Sequence, residues 1–189
     1  MAVALRLALW NANCLSSHPL EHQTFSDMHK IDIALISETH FTSRTVFWLP
    51  RYIVFHSIHP DDTAHGGAAV LIRSSLRHHE HLRIQTPELQ AIAVHLEALP
   101  WPLTVSAVYC PSCHAPSSAT YSDFLRSLGP RFLAGGDWNA RDLSRPKDAL
   151  SSLKSVDAMV PISAPANRPI GRRTTTGYLT CWISLSPEV

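Results

Sequence analysis

The run Ile31-Asp-Ile-Ala-Leu-Ile-Ser37, followed at once by Glu38-Thr-His40, decides the architecture. It is short and almost continuously apolar, the pattern of a central strand covered on both faces in an α/β fold. Glu38 directly after it therefore stands at the rim of a sheet, where such folds place their sites. Outward from this run, β-branched and aliphatic stretches between breakers predict further strands at residues 5–11, 68–72, 91–96, 103–109 and 132–135. The strands at 91–96 and 103–109 look paired through Pro100-Trp-Pro102. Helices are expected at residues 21–30, with Phe25 and Met28 facing the core, and at 118–128. In the second, a Ser N-cap precedes Tyr121, Phe124, Leu125 and Leu128, and Gly129-Pro130 ends the run. Past Arg145 the pattern dissolves among Pro146, Pro161, Pro165 and Pro169. Residues 1–145 thus read as an α/β sandwich core, and 146–189 as a divergent segment of the same domain.

Composition narrows the function classes. The 189 residues are 45% hydrophobic and 16% charged, enough apolar content for a buried core and too little charge for a disordered chain. A net charge of +1 gives no strong pull toward polyanions or membranes. No apolar run reaches the ~18 residues that would span a bilayer, and the N-terminal stretch carries Arg6 where a signal peptide would be apolar. An intracellular location without membrane association is expected. Cys110-Pro-Ser-Cys113-His114 matches the C-x-x-C-H spacing of haem attachment. The simpler reading is a strand end followed by a loop, so no haem is expected, and zinc there would need further ligands.

The uncommon polar residues fall at strand ends. Asn11 and Asn13 follow the first strand, Glu38 the central one, Tyr109 closes another, and Asp137 and Asn139 follow Leu133-Ala-Gly-Gly136. Such a set offers hard oxygen ligands suited to Mg²⁺ or Mn²⁺, which commonly take one or two carboxylates plus substrate phosphate. A metal so held polarises a phosphoryl oxygen, a second carboxylate orients water, and Asn and Tyr donate to the phosphoryl oxygens. The chemistry described is phosphodiester hydrolysis. Asn-x-Asn and Asp-x-Asn are also ordinary turn formers, so spacing alone leaves both readings open.

Five segments in order resemble the endonuclease/exonuclease/phosphatase superfamily: Trp10-Asn-Ala-Asn13, Ile33-Ala-Leu-Ile-Ser-Glu-Thr-His40, His65-Gly-Gly-Ala-Ala-Val-Leu-Ile72, Val108-Tyr-Cys-Pro111 and Gly135-Gly-Asp-Trp-Asn-Ala140. The wording is similar to the apurinic-type endonuclease domain of jockey-like non-LTR retrotransposons, over about residues 5–141. The resemblance implies a four-layer α/β sandwich, two mixed sheets flanked by helices, with its C-terminal part incomplete. It implies Mg²⁺-dependent nicking of DNA to prime reverse transcription, a reverse transcriptase in the same polyprotein, and a nuclear location. By position, Glu38 would be the main metal ligand with Asn11 supporting it. Asn13 falls where many relatives have Asp and would bind substrate. Tyr109 would contact the scissile phosphate, Asp137 would position water, and Asn139 would bind a phosphate oxygen. His40 and the His65-Gly66-Gly67 loop would be structural or close to DNA.

The match breaks late. The family pattern ends in an orienting Asp and a Ser-Asp-His, yet no His follows His114 in this sequence. Asp142, Asp148 and Asp157 stand in unmatched contexts. The expectation is a weakened or inactive nuclease with an exposed sheet edge where final strands are lost. The alternative is a non-catalytic remnant that binds nucleic acid through residues such as Arg141, Arg145, Arg172 and Arg173.

Overall fold

The structure, a computed structural model, describes residues 3–97, 102–114, 116–139, 158–162 and 179–185. Among the described residues ten strands form two sheets. The first has the order β10-β1-β2-β4-β3, from Leu179–Leu185, Val3–Asn11, Ile33–Ser37, Ala68–Arg73 and Tyr52–Ser57. The second has the order β5-β6-β7-β8-β9, from His78–Gln85, Gln90–Leu96, Leu103–Tyr109, Phe132–Asp137 and Ala158–Ile162. Both sheets are mixed. β1 runs parallel to β2 and β7 parallel to β8, while β4 and β6 pair antiparallel with their neighbours.

Three apolar layers follow from strand alternation. Leu5, Leu7 and Leu9 point between the sheets with Ile33, Leu35, Val70 and Ile72, against Ile92, Val94, Val105 and Leu133. The alternate residues Ala8 and Trp10 point outward, beneath α1 (Pro19–His29) and the loop carrying Phe41 and Leu49. On the other outer face α2 (Ser118–Ser127) lays Tyr121, Phe124 and Leu125 over Val108, Ala134 and Trp138. The result is the expected four-layer arrangement. β8 packs tightly against the first sheet at Gly135, where a Cβ would lie 2.3 Å from Leu9 Cδ2 and 3.2 Å from Leu35 Cδ1. A side chain there would displace Leu9 and Leu35 in the layer between the sheets.

Several expectations are corrected. Met28 faces away from the core at 71% exposure, and His22 and Ser26 are the residues of α1 that are fully buried. The sequence reading named no strand at β3 or β5. β5, His-His-Glu-His-Leu-Arg-Ile-Gln, lies at an edge with mostly exposed side chains, so it lacks the apolar signature. The segment after residue 145 is also not patternless throughout: β9 adds a parallel strand to β8, and β10 an antiparallel strand to β1. β1 and β8, the strands beside which lost final strands would have left an exposed edge, each have a further strand paired to them. Asp142, Asp148 and the four arginines named above lie outside the described residues.

Candidate active site

Two parallel strand pairs end on one rim, one pair from each sheet. In the register Asn11 lies opposite Ser37 and Tyr109 opposite Asp137, and Glu38 follows Ser37. Each pair is closed by one further backbone bond: Ala12 N–H donates to Ser37 O at 2.9 Å, and Cys110 N–H to Asp137 O at 2.9 Å. Beyond these bonds the chain turns sharply, and Asn13, Glu38 and Asn139 all adopt positive φ, at 40°, 54° and 39°. Asn tolerates that conformation readily. Glu does not, and its backbone is held by Cys14 N–H, which donates to Glu38 O at 2.9 Å.

The rim is joined across the sheets by side chains. Asn11 Nδ2 donates to Asp137 Oδ2 at 3.1 Å, 126 residues apart in sequence. Asp137 Oδ1 accepts from Asn139 N–H at 3.0 Å, and Asn11 Oδ1 accepts from Asn13 N–H at 3.2 Å. Asn139 Nδ2 donates to Cys110 O at 2.9 Å, which ties the end of β8 to the end of β7. Asp137 is buried, and burial raises its carboxyl above the ordinary value; Glu38 adds to the rise, while the bonds from Asn139 and Asn11 oppose it. Tyr109 is pushed up to about 12 by burial and by the charges of Glu38 and Asp137, so its phenol stays a proton donor. Glu38, Tyr109, Asp137, Asn139 and Asn11 are thus brought together, with Asn13 exposed at the margin.

The His65-Gly66-Gly67 loop forms one wall. His40 N–H donates to Gly66 O at 2.9 Å, and Gly66 sits on the Tyr109 ring, where a Cβ would lie 2.8 Å from Cε1. Gly66 has φ +61°, so both its conformation and its space call for glycine. Gln90, opposite Tyr109 on β6, is fully buried behind this wall and reaches Thr86 O with its Nε2 at 2.6 Å. Sequence reasoning missed Gln90, whose one signal is a carboxamide opening an apolar strand.

Two carboxylates on one rim, one of them buried and raised by the other, suit a divalent cation chemically. The Glu38 carboxylate makes no hydrogen bond or ion pair among the described residues, and its charge is felt by both Asp137 and Tyr109. A hard cation beside Glu38 and Asn11 would relieve that repulsion. Cys110 does not fit the haem reading: its thiol lies within the apolar layer under α2, and burial pushes it up to about 12. Cys113 is exposed, with Sγ 3.0 Å from His114 Nδ1.

The profile of the endonuclease/exonuclease/phosphatase family matches residues 8–185 of this chain, beyond the stretch ending at Arg141 that the motifs marked. The chain is 36% identical over 137 residues, 72% of its length, to the RNA-directed DNA polymerase from mobile element jockey of Drosophila melanogaster. It is 31% identical over 188 residues to the probable RNA-directed DNA polymerase from transposon X-element of the same organism. The chain spans 15% and 20% of the length of these two relatives. Among solved structures, the endonuclease domain of TRAS1, a telomere-specific non-LTR retrotransposon, superposes with TM-score 0.59 at 20% identity, over 80% of this chain and 71% of that one. The Xenopus laevis APE2 catalytic domain superposes with TM-score 0.52 at 15% identity, over 78% and 67%. At these identities the superpositions show the fold.

Proposed function

The chain belongs to the endonuclease/exonuclease/phosphatase family, and on that premise we propose that it is a Mg²⁺-dependent DNA endonuclease domain of a non-LTR retrotransposon polyprotein. Its nick would leave the 3′-hydroxyl from which an attached reverse transcriptase primes, and that work places it in the nucleus. The observation that carries the reading is the bond from Asn11 of one sheet to Asp137 of the other, with the charge of Glu38 acting on Asp137.

Glu38 and Asn11 would hold the metal, Mg²⁺ or Mn²⁺. When bound, the ion polarises the scissile phosphoryl oxygen and neutralises charge on the leaving alkoxide. Asp137 accepts a proton from the attacking water and fixes its direction. Its raised pKa makes it a better base than an ordinary carboxylate, and two donated hydrogen bonds fix its orientation. Tyr109, protonated throughout the neutral range, donates to a phosphoryl oxygen whose negative charge grows in the transition state. Asn139 spends one amide proton on Cys110 O and presents the other to the phosphate. Asn13, exposed at the margin, contacts the DNA strand.

One observation favours the second reading, a nucleic-acid-binding remnant: no His follows His114, so within these 189 residues the terminal Ser-Asp-His has no counterpart. Losing one such stabiliser typically costs about 10²–10³ in rate, so a slow nick is the expected activity of this polypeptide alone. Supercoiled plasmid incubated with Mg²⁺ tests both readings. Nicking that chelator stops and that Glu38→Gln and Asp137→Asn abolish supports the endonuclease. Salt-dependent DNA binding with no Mg²⁺-dependent nicking supports the remnant.

A further inference from the structure

Outside the rim just described, the turn between β3 and β4 gathers His59, Asp61 and His65, whose ligating atoms all lie within 4.8 Å of one another. His59 Nδ1 is 2.7 Å from Asp61 Oδ1, and His65 Nε2 is 3.9 Å from Asp61 Oδ2. The two imidazole rings lie 4.0 Å apart, centroid to centroid. Ligands about 2.0–2.2 Å from a tetrahedral Zn²⁺ are separated by about 3.4 Å, a spacing that small side-chain rotations reach from a cluster whose ligating atoms all lie within 4.8 Å.

We infer that His59, Asp61 and His65 form a Zn²⁺ site that fastens the β3–β4 turn beside the rim. Two imidazoles and one carboxylate make a set for zinc, unlike the all-oxygen set around Glu38, which suits Mg²⁺. The turn already carries the outer contacts such a site needs. Thr63 Oγ1 hydrogen-bonds His65 Nδ1 and donates to Asp61 Oδ1 at 2.7 Å, so the ring nitrogen left for a metal is Nε2, the atom facing Asp61. Asp62, at φ 59°, is clamped from outside: Ser43 N–H and Ser43 Oγ donate to its two oxygens at 2.6 Å each. His59 is the most shielded of the three, its side chain 14% exposed, while Asp61 and His65 stay open to solvent and leave a fourth position for water. The residue after His65 is Gly66, which rests on Tyr109 and bonds His40. Fixing His65 therefore fixes the wall of the rim.

The signal in the sequence is His-x-Asp-x-x-x-His over residues 59–65, whose last histidine also opens His-Gly-Gly. The test uses the whole chain, freed of metal by chelation, then loaded with Zn²⁺ in excess Mg²⁺ and desalted. One Zn²⁺ per chain is expected. In histidine-detected NMR the ion should shift a ring nitrogen of His59 and Nε2 of His65, and Co²⁺ in its place should give the visible absorption of a tetrahedral site. His65→Ala and Asp61→Asn should lose the ion and the spectrum, while His114→Ala keeps both. Far-UV circular dichroism of the variants checks that they fold. Failure to retain zinc in folded wild type, retention by folded His65→Ala, or loss in His114→Ala would overturn the assignment.

Discussion

Asn11-Ala12-Asn13 at the end of β1 and Asp137-Trp138-Asn139 at the end of β8 are built on one local plan. In each, the first side chain accepts a hydrogen bond from the backbone N–H two residues on, at 3.2 Å and 3.0 Å. In each, the middle residue is buried and the last takes φ near +40°. Each leaves a strand whose parallel neighbour ends beside it. The difference lies in charge. The first sheet puts a neutral carboxamide at this position and its carboxylate, Glu38, one step along the partner strand. The second puts its carboxylate inside the turn, buried, with neutral Tyr109 on the partner strand. One scaffold is thus used twice, to support a ligand and to hold a base.

Making the two ends alike breaks the comparison most severely. Asp137→Asn is expected to lower the nicking rate about 10²–10⁴-fold, the usual contribution of a positioned base, and to flatten the dependence of stability on pH. The sign follows from the raised pKa: the protonated carboxyl is the form the fold prefers, so stability from this group is present at low pH and is lost as pH rises through the folded value. An uncharged amide removes that loss. Denaturant titrations at about pH 3, below the unfolded carboxyl value, and at about pH 8 check it: wild type should lose more stability than the variant between the two. Glu38→Gln should cost the other sheet its ligand, reducing Mg²⁺ affinity at least ~10–100-fold, the range for losing even an outer-shell partner. It should also lower the pKa of Asp137, moving any acid limb of the residual pH–rate profile to lower pH.

A smaller change sharpens the comparison. Asn11→Asp replaces the donor to Asp137 Oδ2 with a third carboxylate, so the acid limb should move to higher pH and stability fall by about 1–3 kcal/mol, the cost of an unmet buried acceptor. The tryptophans extend the contrast to the outer layers. Trp138 packs against Tyr121 and Phe124 of α2, whereas Trp10 stacks on His22 of α1, ring centroids 5.3 Å apart and ring planes nearly parallel. Burial lowers the His22 pKa to about 4. Its contribution to stability is full above about pH 6.5 and falls as pH drops toward 4, by roughly 3 kcal/mol at about 1.4 kcal/mol per unit. Acid should therefore loosen the first sheet before the second, and His22→Phe should reduce that sensitivity, as read by hydrogen exchange in α1 and α2.

Much of this plan was legible because it depends on local signals. The apolar run before Glu38 gave β2, and Ser117 as N-cap, accepting from Thr120 N–H at 3.1 Å, gave α2. The paired Asx turns could be read from spacing. Their meeting could not, since the 3.1 Å bond between Asn11 and Asp137 depends on two sheets packing closely at Gly135. α1 misled because its buried face is polar: His22 and Ser26 turn inward where Met28 was expected. β5 escaped because an edge strand carries little apolar burial, and β9 because Pro161 interrupts it. The zinc-type cluster was hidden by reading each histidine singly.

For the proposed nick, Glu38 and Asp137, from different sheets, must flank one divalent ion. Crystals soaked in Mn²⁺ and measured at the manganese edge answer this directly. An anomalous peak against the Glu38 carboxylate on the Asp137 side, absent in Glu38→Gln, is the predicted result. No peak on that rim at saturating Mn²⁺, or one that survives Glu38→Gln, would contradict it.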